Sequence, residues 1–83
     1  MNDQSPIDIV LAANAAYTPG LFVTAASIAQ YANRSVALNF HVFDSGIPDA
    51  DMVTLTALLS ARHPKTNIIR YAVTEEAFAQ YPA

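Results

Sequence analysis

Eighty-three residues, 53% of them hydrophobic and only 13% charged, describe one small domain with unusually little charge to cover its surface. The net charge of −3, with no run of lysine or arginine, excludes a nucleic-acid phosphate track, and the absence of cysteine excludes disulfides and thiolate metal sites. A chain this short buries roughly 60–65% of the surface that its unfolded form exposes, so its core is small and every large apolar side chain counts.

Residues 1–6 form a polar leader. Ala13-Asn14-Ala15 after Ile9-Val10-Leu11 has the outline of a secretory cleavage site, but the leader lacks positive charge and Asp8 interrupts the apolar run. No apolar stretch reaches the ~20 residues of a membrane span. The expectation is a cytoplasmic protein without a membrane span.

Residues 7–13, Ile-Asp-Ile-Val-Leu-Ala-Ala, predict a strand that is apolar on both faces except at Asp8, the pattern of a parallel strand covered from two sides. A small-residue loop follows. Thr18 is the expected N-cap of a helix, with Pro19 at its first position, and the helix runs to about residue 32. Its buried stripe is read as Leu21, Ala25, Ile28 and Ala32, with Phe22, Ala26 and Ala29 beside it.

Residues 36–43 predict a second strand, with Val36, Leu38, Phe40 and Val42 on one face and Asn39, His41 and Phe43 on the other. Asp44-Ser45-Gly46 marks a turn. A second helix is expected over 48–62, burying Met52, Leu55, Leu58 and Leu59, with Arg62 and His63 at its negative end and Pro64 as its stop. Residues 67–73 predict a third strand, and 75–80 a last helical turn capped by Thr74.

Strand, helix, strand, helix, strand, joined by right-handed crossovers, gives a parallel sheet in the order 3-2-1 with both helices on one face. The opposite face is then bare, and the outer edge of strand one has Asp8 as its only charged guard. The expected domain is therefore partial: residues 7–83 are half of an α/β fold, incomplete at the C-terminal end. Ligands in such sheets bind where strands end and helices begin, so the mouth of strand one is the first place to look.

Ile7-Asp8-Ile9-Val10-Leu11-Ala12-Ala13, then Tyr17, then Ala26-Ser27-Ile28, then Phe40-His41-Val42-Phe43-Asp44-Ser45-Gly46-Ile47 resemble the N-terminal portion of glycosyltransferase family 8. The resemblance runs from Ile7 to about Pro82. It implies a Rossmann-like, A-type fold and a retaining, metal-dependent hexosyltransferase, as in the lipopolysaccharide galactosyl- and glucosyltransferases. The implied donor is a UDP-sugar and the implied cofactor is Mn²⁺ or Mg²⁺ clamping the diphosphate.

In that family the first strand-end loop reads roughly Ala-Ala-Asp-X-Asn-Tyr and holds the nucleoside. Ala12, Ala13 and Tyr17 match; Asn14 stands at the acidic position and Ala16 at the asparagine. The resemblance makes Ala12, Ala13, Asn14, Ala16 and Tyr17 the nucleotide-binding residues, with Tyr17 stacking on uracil. Asn14 retains donor and acceptor capacity toward a base, whereas Ala16 forfeits one hydrogen bond worth about 0.5–1.5 kcal/mol. The family's metal-binding Asp-X-Asp ends a later strand that this chain does not reach. Asp49-Ala50-Asp51 matches in letters but follows a turn, where carboxylates in a first helical turn need only the macrodipole as explanation. No catalytic or metal-ligating residue is therefore assigned, and these residues alone are expected not to catalyse.

The remaining polar residues have plain readings. Asp44 forms a turn with Gly46 rather than a ribose contact. His41 and His63 do not suggest zinc, and Ser27, His41 and Asp44 do not make a triad. The alternative function is a non-enzymatic α/β interaction module that self-associates through its bare sheet face or edge.

Overall fold

The computed structural model describes residues 5–73. In chain order these form β1 (Ile7–Ala13), a 3₁₀ turn (Ala15–Tyr17), α1 (Thr18–Tyr31), β2 (Leu38–Asp44), α2 (Asp49–Arg62) and β3 (Thr66–Ala72). The expected helical turn at 75–80 and its cap at Thr74 lie outside the described residues.

The sheet is parallel, with β2 between β1 and β3. Its register aligns Ile9, Phe40 and Ile68 in one row, and Leu11, Val42 and Arg70 in the next. Alternation then decides which side chains meet the helices. Leu38, Phe40 and Val42 are fully buried and share one cluster with Leu21, Ala25 and Ala29 of α1 and Met52, Leu55 and Leu59 of α2. Ile9 and Leu11 of β1 and Ile68 of β3 pack against the same cluster, so both helices cover one face of the sheet. The stripe of α1 is Leu21, Ala25 and Ala29, with Phe22, Ile28 and Ala32 at its margins. Two alanines at the line of contact let that helix sit close to the strands.

The α1 cap differs from the sequence expectation. Asn14, not Thr18, ends the extended strand: its side-chain oxygen accepts the Tyr17 N–H at 3.1 Å, and the chain passes through the 3₁₀ turn directly into α1. Thr18 is already helical, and its hydroxyl donates back to the Asn14 carbonyl at 2.9 Å. Asn14 therefore caps the 3₁₀ turn, while Tyr17 holds the N-cap position of α1 without a side-chain bond and Thr18 is too far into the helix to cap it.

His63, at the C-terminal end of α2, is fully buried. Its Nε2–H donates to the Asn33 carbonyl at 3.0 Å and its Nδ1 accepts the Lys65 N–H at 3.3 Å. It thereby joins the end of α1 to the start of β3. Arg34 serves the C-terminal end of α2, donating to the Arg62 carbonyl at 2.8 Å.

Among the described residues, the sheet face away from the helices is uncovered. Its first row joins Asp8, Asn39 and Asn67, which hydrogen-bond in series at 3.2 and 3.1 Å. Its last row places Phe43 against Tyr71, their rings stacked with centroids 4.8 Å apart. Asp8 belongs to this face network, bonded to Asn39 and His41, rather than standing as a free charge at the edge. No helix of the described residues is long and apolar enough to cross a membrane.

Candidate functional site at the end of the first strand

Ala13, the last residue of β1, is buried, and the chain leaves the sheet at Asn14. The cap bond occupies the Asn14 side-chain oxygen, while its NH₂ has no partner among the described residues. The 3₁₀ turn carries Ala15, Ala16 and Tyr17 across the mouth of the strand, all three exposed. The Tyr17 ring is 70% exposed, so it seals neither the core nor the helix start. Beside it lies a groove of about 270 Å³ lined by Leu11, Ala12, Tyr17, Gly20, Leu21 and Thr24. Of the residues expected to bind a nucleotide, Ala12 and Tyr17 line this groove, whereas Asn14 and Ala16 lie on the adjoining turn outside its lining and Ala13 is buried. A larger concavity, about 530 Å³, lies on the far side of α2 against β3 and includes none of these residues.

The neighbouring loop closes on the same corner. Ser45 donates its backbone N–H and its hydroxyl to the Ala13 carbonyl, at 3.0 and 3.2 Å. The loop owes its shape to Asp44, whose Oδ1 accepts the N–H groups of Gly46 and Ile47. Asp44 Oδ2 receives Arg70 Nε, and Arg70 reaches on to Asp49 at 2.7 Å and to the Ile47 carbonyl at 2.9 Å. Burial pushes the Asp44 carboxyl up, but the two backbone donors and the guanidinium outweigh it and hold it below the usual range. Asp44 is a turn former, as its place before Gly46 implied. Arg70 is the part that sequence reasoning missed, because its partners lie 21 to 26 residues away and only the parallel register brings them together.

Asp49 and Asp51 stand in the first turn of α2, and Asp49 is paired with Arg70. The described residues contain no group of three histidine, cysteine, aspartate or glutamate side chains able to hold a metal ion. With one carboxylate committed to a guanidinium, Asp49-Ala50-Asp51 does not fit a diphosphate-clamping Mn²⁺ or Mg²⁺, and no chemical step is assigned through it. Both ring nitrogens of His41 and of His63 are engaged within the protein. Ser27 lies on α1, with its hydroxyl turned back to the Val23 carbonyl, and His41 is on the opposite side of the sheet, so no triad forms with Asp44.

A scan of protein-family models and a search of curated proteins return no match. Solved structures do. A crystal structure of an active-site mutant of LgtC is 35% identical over 93% of this chain, with a TM-score of 0.71. A second, of galactosyltransferase LgtC in complex with donor and acceptor sugar analogues, is 31% identical over 93%, with a TM-score of 0.64. The chain spans about a quarter of the length of these structures, 26% and 27% respectively. Strand order, helix placement and 31–35% identity over an alignment spanning 93% of its residues make this an α/β unit similar to part of the galactosyltransferase LgtC, in line with the glycosyltransferase family 8 resemblance of its sequence.

Proposed function

We propose that this chain is the nucleotide-binding part of a cytoplasmic, retaining glycosyltransferase that moves a hexose from a UDP-sugar to an acceptor such as lipopolysaccharide. Ala12, Ala13, Asn14, Ala16 and Tyr17 form its nucleoside cradle. The observation that carries the reading is the exposed Tyr17 ring at the rim of the groove where β1 ends. An aromatic face held by a capped turn is a stacking platform for a base, worth about 1–3 kcal/mol by alanine substitution in other nucleic-base sites. The Asn14 NH₂, without a partner among the described residues, can donate to a uracil oxygen.

Among the described residues no cluster of side chains could hold a metal ion, so on this reading the 83 residues are expected to bind weakly and not to transfer sugar. The diphosphate-bound Mn²⁺ or Mg²⁺ belongs to the remaining part of such an enzyme. Titration of the ¹⁵N-labelled chain with millimolar UDP tests the reading. Shifts are expected at Ala12 through Thr24, abolished in Tyr17→Ala. Unmoved resonances there, or equal shifts with ADP, would reject the cradle, and galactose release from UDP-galactose would reject the inactivity.

The uncovered sheet face favours one other reading, a self-association module. Among the described residues that face carries Val10, 65% exposed on the edge strand β1, and the stacked Phe43 and Tyr71 of β2 and β3. A stable dimer on gel filtration that ignores UDP supports that reading over the first.

A further inference from the structure

We infer that Arg70 is a positioning residue for the nucleoside cradle, acting across the whole sheet through the β2–α2 loop. This rests on the cradle reading for its ligand, but the coupling itself is a property of the ligand-free chain. Arg70 stands on β3, the strand farthest from the cradle, and touches none of its residues. Its guanidinium nevertheless makes three directed contacts to the segment 44–49: the Asp44 carboxylate, the Ile47 carbonyl and the Asp49 carboxylate. A planar fork with fixed donor directions sets the position of such a loop, where a single point charge would only attract it.

The loop has little freedom once Arg70 is in place. Asp44 holds the N–H groups of Gly46 and Ile47 from within, and Gly46 takes a φ of +133°, which directs the chain back toward β1. Ser45 is thereby delivered to Ala13 with two donors on one carbonyl. The residue after that carbonyl is Asn14, whose side chain caps the turn bearing Tyr17. The path from Arg70 to Tyr17 thus runs through Asp44, Ser45, Ala13 and Asn14, each link a hydrogen bond or a peptide bond. The charged groups facing Asp44 along this path are Arg70 from β3 and, across the guanidinium, Asp49 from α2.

The test compares wild type, Arg70→Lys and Arg70→Met. In the absence of ligand, the Ser45 amide of Arg70→Met should exchange with solvent at least several-fold faster, and the Ala15 and Tyr17 amide resonances should shift. With UDP, affinity should fall by about 2- to 30-fold, the range seen for residues coupled to a site without touching its ligand. Arg70→Lys, which keeps the charge but not the fork, should recover part of each effect. Acid should loosen Ser45 at a higher pH in Arg70→Met than in wild type, because Asp44 loses the partner that keeps it ionised. Following the Asp44 carboxyl itself by ¹³C NMR separates this from a general loss of stability, which shifts the unfolding transition but leaves the folded-state titration of that carboxyl where it was.

Should Arg70→Met fail to fold, Asp49→Ala removes one of the three contacts at an exposed carboxylate and should give a smaller change of the same kind. Unchanged Ser45 exchange and unchanged Tyr17 resonance in folded variants would overturn the coupling. Failure of the wild type to bind UDP would overturn the cradle while leaving the ligand-free readouts to decide the coupling.

Discussion

His41 Nε2 lies 3.0 Å from the carboxylate of Asp8, on the sheet face that no helix among the described residues covers. Its Nδ1 is 2.9 Å from the Tyr71 hydroxyl, so a neutral ring protonated on Nε2 satisfies both neighbours, the phenol donating and the carboxylate accepting. The His41 hydrogen bond, then the one from Asn39, hold the Asp8 carboxyl below its ordinary value of 3.8 against a smaller opposing effect of burial.

This sets an acid limb to stability. Asp8 and Asp44 both have lowered values in the folded chain, so near pH 3.8 the unfolded chain binds more protons than the folded one. Their stabilising contribution is complete above about pH 5 and is lost as pH falls through 3.8 and then through the lower folded values. Urea midpoints followed by circular dichroism between about pH 3 and pH 7 should therefore fall on the acid side. Asp8→Asn should flatten that fall, and an unchanged slope in the variant would show that Asp8 takes no part.

The two glycines should respond oppositely to alanine. Gly46 has a φ of +133°, a region that an L side chain rarely enters, although its nearest neighbour, the Ala15 nitrogen, would sit a comfortable 4.0 Å from a new Cβ. The cost is therefore backbone strain alone, about 1–3 kcal/mol. Gly20, inside α1, has nothing within 4 Å of a new Cβ, and alanine there should stabilise by up to about 1 kcal/mol. Thermal unfolding of both variants checks the pair.

Manganese should find no ordered place at Asp49-Ala50-Asp51. Asp49 already holds Arg70, whose guanidinium would have to be displaced. Titrating Mn²⁺ into the ¹⁵N-labelled chain should broaden no resonance of 49–51 beyond the level of other exposed carboxylates. Selective loss of those signals would make the tripeptide a metal site after all.

The elements were legible because their signals are local. Alternating Leu38, Phe40 and Val42, the alanine-rich face of α1, and Pro64 after α2 fix strands and helices from nearest-neighbour chemistry, and parallel crossovers then leave one strand order. Boundaries moved by a residue or two: β2 begins at Leu38, not at 36, because the Val36 N–H is spent on the Asn33 carbonyl in the preceding turn. The exposed turn at the end of β1 was legible through its small residues and Tyr17. The bonds that hold it were not. Arg70, His63 and the Asp8–His41–Tyr71 chain each join residues 26 or more positions apart in at least one bond, and sequence patterns of short period carry no record of such pairs.

Asn14 does two things, and substitutions can separate them. Its oxygen caps the turn that carries Tyr17, and its NH₂ has no partner among the described residues. Asn14→Ala removes both and should cost about 0.5–2 kcal/mol of stability as a lost cap, together with UDP affinity. Asn14→Asp keeps the cap, since a carboxylate accepts the Tyr17 N–H at least as well, and restores the acid that the family resemblance places here. Ala16→Asn restores the missing amide without touching the cap. If the cradle is a weakened nucleoside site, Asn14→Asp and Ala16→Asn should each tighten UDP by about 2- to 12-fold, the equivalent of one net hydrogen bond of about 0.5–1.5 kcal/mol. Isothermal titration with UDP, set beside urea unfolding of the same variants, reads the two effects independently. Gains in stability without gains in affinity would leave Asn14 a cap and nothing more.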